Sequence, residues 1–169
     1  VEFALQYQRL EGGHKDLVFA HYSLESIVKK ALKKTGVLFR RTKLALELGN
    51  LQTDVLTDEK WLVFVLEQVL TNAVKYTRKG KISIYLDPEK EKMLVVEDTG
   101  MGIRPEDLPR IFEWGYTGYN GRIKNRATGI GLALCRQTME MLGHRISAKS
   151  EPGKGTSVHM VRRLGNQEG

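Results

Sequence analysis

The chain of 169 residues has a single cysteine, Cys135, only four prolines and no long apolar run. One thiol cannot build a disulfide framework or a cysteine-based zinc site, so a disulfide scaffold and a zinc finger are excluded. No stretch approaches the ~20 apolar residues that cross a bilayer, and no signal-peptide pattern is visible. No Gly-Lys-Ser/Thr phosphate loop occurs, and no three-glycine dinucleotide fingerprint follows a strand. Walker-type and Rossmann-type phosphate sites are therefore excluded as well.

The composition is that of a globular domain, with 41% hydrophobic and 28% charged residues. This length suits one domain and a proper core. Basic residues number 27 against 20 acidic, a net charge of +7. Such an excess admits nucleic acid, anionic lipid or a small anionic ligand such as a nucleotide. The basic residues are spread out, however: Lys29, Lys30, Lys33 and Lys34, then Arg40, Arg41 and Lys43, then Arg122, Lys124 and Arg126. The first group alternates with apolar residues at helical spacing, so a solvated helix face is favoured over a nucleic-acid stripe.

Periodicity predicts the elements. Phe3, Tyr7 and Leu10 read as a short helix ending at Gly12-Gly13, expected to be the end of a helix that starts further upstream. Ser23 is a plausible cap for a helix running to about Thr35, with Gly36 as its terminator. Leu44, Leu46 and Leu48 alternate as a strand. Asp58 caps a long helix to about Thr77, with Leu62, Val65, Leu66, Val69 and Ala73 facing the core. Ile82, Ile84 and Leu86 form a strand, Asp87-Pro88-Glu89-Lys90 a turn, and Met93 to Val96 a buried strand. Residues 129–142 are helical with Gly143 as the cap, and a closing hairpin turns at Pro152-Gly153. This order fits helices on one face of a mixed sheet and not a doubly wound sheet.

Four segments carry chemistry. Gln68, Asn72, Lys75 and Tyr76 share one stripe of the long helix. They offer an amide oxygen for Mg²⁺, a cation for phosphate and a flat ring for a base. Asp98-Thr99-Gly100-Met101-Gly102 follows a buried strand and presents a carboxylate to an exocyclic amine, with glycines that let backbone pass close to a flat ligand. Thr128-Gly129-Ile130-Gly131-Leu132 opens a helix whose free N–H groups can cradle phosphate. Gly153-Lys154-Gly155-Thr156 places a hydroxyl at the start of the last strand. Each segment alone is also compatible with an ordinary helix face, turn or hairpin. Between the second and third lies a loop with Trp114, Tyr116 and Tyr119, three glycines, and Arg122, Lys124 and Arg126. A loop of that length suggests a lid able to close on anionic phosphates.

In this order the segments resemble the N, G1, F, G2 and G3 boxes of the sensor histidine kinase ATP-binding domain, with Ile111-Phe112-Glu113 in the F position. That family belongs with gyrase, Hsp90 and MutL. The resemblance covers roughly residues 58–161. It implies an α+β fold: a left-handed two-layer α/β sandwich of Bergerat type, with three main helices on one face of a mixed sheet. It implies ATP and Mg²⁺ as ligands, with Asn72 holding the metal, Lys75 on phosphate and Tyr76 on the adenine side. Asp98 would bind the adenine amine, with Gly100, Gly102 and Ile103 shaping the pocket. Gly129, Ile130, Gly131 and Leu132 would hinge the lid and reach phosphate, and Thr156 would support the base. Arg122 is assigned to phosphate on charge and position.

Hydrolysing relatives such as gyrase carry a glutamate base four residues before the N-box Asn, where this chain has Gln68. An amide cannot take a proton from water, which disfavours hydrolysis and leaves the phosphoryl group for transfer to a histidine. His14, His21, His144 and His159 do not match the acceptor setting and read as surface or structural residues. The chain is thus expected to bind ATP without phosphorylating itself. Residues 1–12 would be a remnant of the dimerisation and phosphoacceptor hairpin, 13–165 the catalytic domain and 166–169 a tail. Expected partners are that missing domain and a response regulator. The run from Phe112 to Arg122 resembles kinases of Gram-positive bacteria that sense antimicrobial peptides or envelope stress, often beside an ABC transporter. The parent would then be a membrane-bound homodimer with this domain in the cytoplasm. The alternatives are a non-catalytic nucleotide-binding module, or a serine or protein kinase of the same superfamily.

Overall fold

The computed structural model describes residues 17–113 and 131–162. Among the described residues three α-helices are formed, α1 (Leu24–Arg40), α2 (Glu59–Lys75) and α3 (Gly131–Met141), with a short 3-10 turn at Leu108–Arg110. Seven strands accompany them: β1 (Ala20–Ser23), β2 (Ala45–Leu48), β3 (Asp54–Thr57), β4 (Lys81–Leu86), β5 (Leu94–Asp98), β6 (His144–Glu151) and β7 (Gly155–Arg162). A five-stranded sheet has the order β2-β4-β5-β7-β6, parallel only at β2–β4. All three helices pack on one face of it, as expected for the α+β sandwich.

The strand register explains the layering. Directly opposed residues of paired strands point to one face. Ile84, Val96, Val158 and Ala148 form one such row, and Leu86, Leu94, Met160 and Ile146 the next. These rows meet the helices. The opposite face carries Glu47, Ser83, Glu97, Ser157 and Lys149 in register, so it suits water. On that face the Tyr85 hydroxyl donates to Glu97 at 2.9 Å. Burial, then that carboxylate, push the phenol up to about 12.

Helix α2 is the spine. Nine of its residues are buried, including Trp61, Val65, Leu66 and Leu70, because α1 and α3 flank it and the sheet lies below. A helix covered this way must be apolar around most of its circumference. Trp61 and Phe64 meet edge to face at 6.0 Å. Its cap, Asp58, is buried, and both carboxylate oxygens are used. Oδ1 accepts from Trp61 N at 3.1 Å and Oδ2 from Val18 N at 2.7 Å. A carboxylate is favoured there because it faces the positive end of the helix.

Two features depart from the sequence reading. Helix α1 does not stop at Gly36 but continues to Arg40. Four residues remain after Gly36 before the chain turns, and Phe39 packs against the core. That burial outweighs the propensity cost of about 1 kcal/mol for an internal glycine. The structure also contains β1 and β3, which pair antiparallel into a small second sheet. Each has four residues and runs straight into a helix cap, Ser23 or Asp58, so neither shows a readable alternation. The lysines of α1 line a solvated face. Lys29, Lys30 and Lys34 meet Glu25, Glu59 and Glu67. Among the described residues no helix is long and apolar enough to cross a membrane.

Because Gly36 is helical, and a Cβ there would meet only the far end of the Arg40 side chain, Gly36→Ala should stabilise the fold. A gain of about 0.5–1 kcal/mol in urea unfolding is expected. A loss would show that the helix breaks at Gly36 in solution.

Candidate functional site

Asp98 closes β5. The register sets it beside Ile82 on β4 and Thr156 on β7, and Thr156 beside Ser150 on β6. The row Ile82–Asp98–Thr156–Ser150 therefore continues the helix-facing side of the sheet, one step beyond the apolar rows. Polarity switches on at this end. Asp98 Oδ1 accepts the N–H groups of Gly100 at 2.9 Å and Thr156 at 3.3 Å. Both of these backbone hydrogen bonds fall on Oδ1, and the Thr77 hydroxyl lies close to the same carboxylate.

Burial raises the Asp98 carboxyl above its ordinary range. The N–H groups of Gly100 and Thr156 and the Thr77 hydroxyl pull it down, and neighbouring Glu97 pushes it up. Thr77 is itself buried, and its hydroxyl closes no hydrogen bond of proper geometry although it lies in this cluster. An unsatisfied buried hydroxyl beside a one-sided carboxylate fits a site built for a polar ligand or a bound water.

The loop after Asp98 is fastened on both sides. Met101 N donates to the carbonyl of Tyr76, the residue that caps α2. Gly153 N donates to Met101 O at 2.8 Å, and Ile103 N to Ser150 Oγ at 2.7 Å. The loop is thus pressed between the end of α2 and the β6–β7 turn. At Gly100 a Cβ would strike the Tyr76 carbonyl oxygen, and at Gly102, with φ +76°, it would strike the Glu151 carbonyl.

Helix α2 brings its polar stripe to the same end. Gln68, Asn72, Lys75 and Tyr76 are all half-buried. The Asn72 side-chain amide makes no hydrogen bond among the described residues. Lys75 interacts within the domain. Burial raises the Tyr76 phenol, which keeps it neutral. Gly131, the first residue of α3, lies against Gln68, whose Oε1 would be 3.3 Å from an added Cβ. Leu132 follows, half-buried. Arg122, Gly129 and Ile130 lie outside the described residues, as do the loop aromatics, His14 and the helix expected over residues 1–12.

Among the described residues no three acidic, histidine or cysteine side chains form a metal cage. One amide oxygen from Asn72 suits Mg²⁺, which keeps waters and takes phosphate oxygens in place of a full protein cage. Cys135 is buried, and its thiol lies 3.8 Å from the Val65 carbonyl. Burial pushes the thiol well above its ordinary range, so it is a core residue. His144 is buried against Thr57 at 3.1 Å, His159 bonds Ser157 at 2.9 Å, and His21 is exposed on the small sheet.

Two residues escaped the sequence reading: Thr77 and Ser150. Thr77 gives no periodic signal, since it follows the helix end. Ser150 reaches Thr156 because the turn spans three residues, Pro152 to Lys154; a two-residue turn at Pro152-Gly153 would set Ser150 opposite Gly155 instead.

Comparison with known proteins identifies the family and the fold. The family model described as histidine kinase-, DNA gyrase B- and HSP90-like ATPase matches residues 57–165, and the chain belongs to that family. It is 39% identical over 158 residues to sensor protein BceS of Halalkalibacterium halodurans, covering 93% of this chain and 47% of the relative. It is 34% identical to sensor histidine kinase YxdK of Bacillus subtilis, covering 94% of this chain and 50% of the relative. The chain thus spans about half the length of the curated relatives it matches. Its fold is similar to that of the Acinetobacter baumannii histidine kinase AdeS, with a TM-score of 0.73 at 23% identity, covering 96% of this chain and 76% of the other.

The packing of the loop makes a contrast testable. Gly153, at φ +80°, has open space where a Cβ would go, whereas Gly102 does not. Gly153→Ala should cost only the left-handed strain of about 1–2 kcal/mol. Gly102→Ala adds a backbone clash worth about 1–3 kcal/mol more. Equal losses in denaturant titrations would mean the loop does not press on the β6–β7 turn.

Proposed function

We propose that this chain is the ATP-binding catalytic domain of a two-component sensor histidine kinase, donating the γ-phosphoryl group of ATP to a histidine on a separate helical domain. Family membership and kinase relatives support this. The observation that carries it is the half-buried Asp98 carboxylate, whose two backbone hydrogen bonds both fall on Oδ1, so that Oδ2 is the oxygen offered to a ligand. An open carboxylate oxygen in a half-buried site is an acceptor for the adenine amine. ATP supplies the phosphoryl group, and Mg²⁺ neutralises its charge during transfer.

The chain's own residues bind and orient. Asn72 would hold Mg²⁺ through its amide oxygen, Lys75 and Arg122 would meet phosphate, and Tyr76 would line the base. Gly100, Gly102 and Ile103 would wall the adenine pocket, and Thr156 would face the base. Gly129, Ile130, Gly131 and Leu132 would offer backbone to the phosphates. Gln68 would orient groups beside Asn72 without acting as a base, because its amide takes no proton. Transfer to a histidine is thereby favoured over hydrolysis. The parent is a membrane-bound homodimer with this domain in the cytoplasm, a cognate response regulator as partner, and an ABC transporter as neighbour. The run from Phe112 to Arg122 supports the last point.

Calorimetric titration with a non-hydrolysable ATP analogue should show binding that strengthens with Mg²⁺, and Asn72→Ala should remove most of the Mg²⁺ effect. Binding that ignores Mg²⁺ would take Asn72 out of the metal role.

Asp98→Asn separates folding from function. The amide oxygen can keep both inward bonds, while its NH₂ faces the adenine amine donor to donor. Affinity should fall about tenfold or more, the scale of a lost hydrogen bond to a charged group. Stability should move the other way. A carboxyl whose folded pKa is raised contributes stability that is present below the unfolded value and is lost as pH rises through the folded value. The variant should therefore gain on the wild type as pH rises through that window, in thermal melts without nucleotide. A wild-type advantage that grows with pH would contradict the buried charge.

A further inference from the structure

We propose that Ser150 fixes the direction of the Thr156 hydroxyl, so that the pair Asp98–Thr156 meets a bound base with acceptors only and selects a 6-amino over a 6-oxo purine. The inference rests on the nucleotide-binding reading above and deepens it.

The argument is a count of hydrogens. Ser150 Oγ has three neighbours at hydrogen-bond distance: Ile103 N at 2.7 Å, Gly155 O at 2.9 Å and Thr156 Oγ1 at 2.9 Å. A serine hydroxyl has one hydrogen and two lone pairs. Ile103 N–H can only donate, so it takes one lone pair. The Gly155 carbonyl can only accept, so it takes the one hydrogen. The third contact then needs a hydrogen from Thr156. If Ser150 donated to Thr156 instead, its oxygen would face the Gly155 carbonyl at 2.9 Å with no hydrogen between them. Only one arrangement gives every contact a proton.

The consequence reaches the site through the register. Thr156 stands directly opposite Asp98, and its N–H is bonded to Asp98 Oδ1. With its hydrogen committed to Ser150, Thr156 Oγ1 keeps lone pairs only. Asp98 Oδ2, when ionised, also has lone pairs only. Two neighbouring acceptors suit the two hydrogens of a 6-amino group and repel a 6-oxo group. Rejection through an unmatched polar group is stronger than rejection by shape. Ser150 touches no ligand in this scheme; it is a positioning residue acting through Thr156.

The test is a titration of the 169-residue chain with ADP and with inosine diphosphate, which differs from ADP at purine position 6. Wild type should favour ADP by about 100-fold or more, as sites built on hydrogen bonds do. Ser150→Ala releases the Thr156 hydrogen to turn toward ligand, and the ADP preference should fall about tenfold, the worth of one hydrogen bond. Ser150→Thr keeps the hydroxyl and should restore the preference. In a Thr156→Val background, Ser150→Ala should leave the preference unchanged. A preference that survives Ser150→Ala, or that falls equally in the Thr156→Val background, overturns the inference while leaving the nucleotide site intact. A wild type that binds neither nucleotide at millimolar concentration overturns the nucleotide reading, and this inference with it. Should Ser150→Ala fail to fold, the wild-type NMR spectrum decides. The Thr156 hydroxyl proton should exchange slowly and show a cross-peak to the Ser150 methylene without nucleotide; a freely exchanging proton refutes the assignment.

Discussion

Asp98 Oδ1 holds two backbone N–H groups from different segments, the turn at Gly100 and the start of β7 at Thr156. Everything else at this end of the domain depends on that pair of hydrogen bonds. It joins the central strand to its neighbour and sets the path of the loop through Met101 and Gly102. The cost is visible in the same residue. Burial raises its carboxyl pKa, so the ionised form that suits a ligand is the form the fold disfavours. Functional groups held against their own stability are a common feature of binding sites.

The rest of the structure serves to hold this row in place. Helix α2 lies buried between its neighbours and delivers its C-terminal carbonyl, Tyr76 O, to the loop after Asp98. The β6–β7 hairpin delivers Ser150 and Gly153 from the other side. The loop is thereby tied to helix and sheet at once. That arrangement explains why a segment with little regular structure can hold a defined pocket wall. Rigid elements position polar groups more closely than loops do.

The core and most elements were legible in the amino-acid pattern. Helix α2 with its cap Asp58, strands β2, β4 and β5, the turn after Asp87 and the closing hairpin all lie where periodicity and cap residues place them. The errors have a shared cause. Gly36 reads as a stop signal, but the packing of Phe39 carries the helix past it. Strands β1 and β3 are too short to show alternation, and each exists because the other supplies its hydrogen bonds. Local signals cannot report a contact between segments that a whole helix separates, as α1 separates Ser23 from Asp54.

The site divides in the same way. Residue order alone identified the family, because the boxes around Asn72, Asp98, Gly131 and Thr156 occur in one sequence and the family model matches it. Asp98, Thr156 and the stripe from Gln68 to Tyr76 were nameable from residue type and position, since carboxylates, amides and cations announce their chemistry. Only the tertiary structure decided that Asp98 Oδ1 takes two backbone N–H groups, that Thr77 lies beside it, and that Ser150 Oγ stands 2.9 Å from Thr156 Oγ1. Those facts depend on strand register and on distances of about 3 Å between residues far apart in sequence, where a hydrogen bond is either made or absent. Sequence sets which groups exist; packing sets which of them remain unpaired and so available to a ligand.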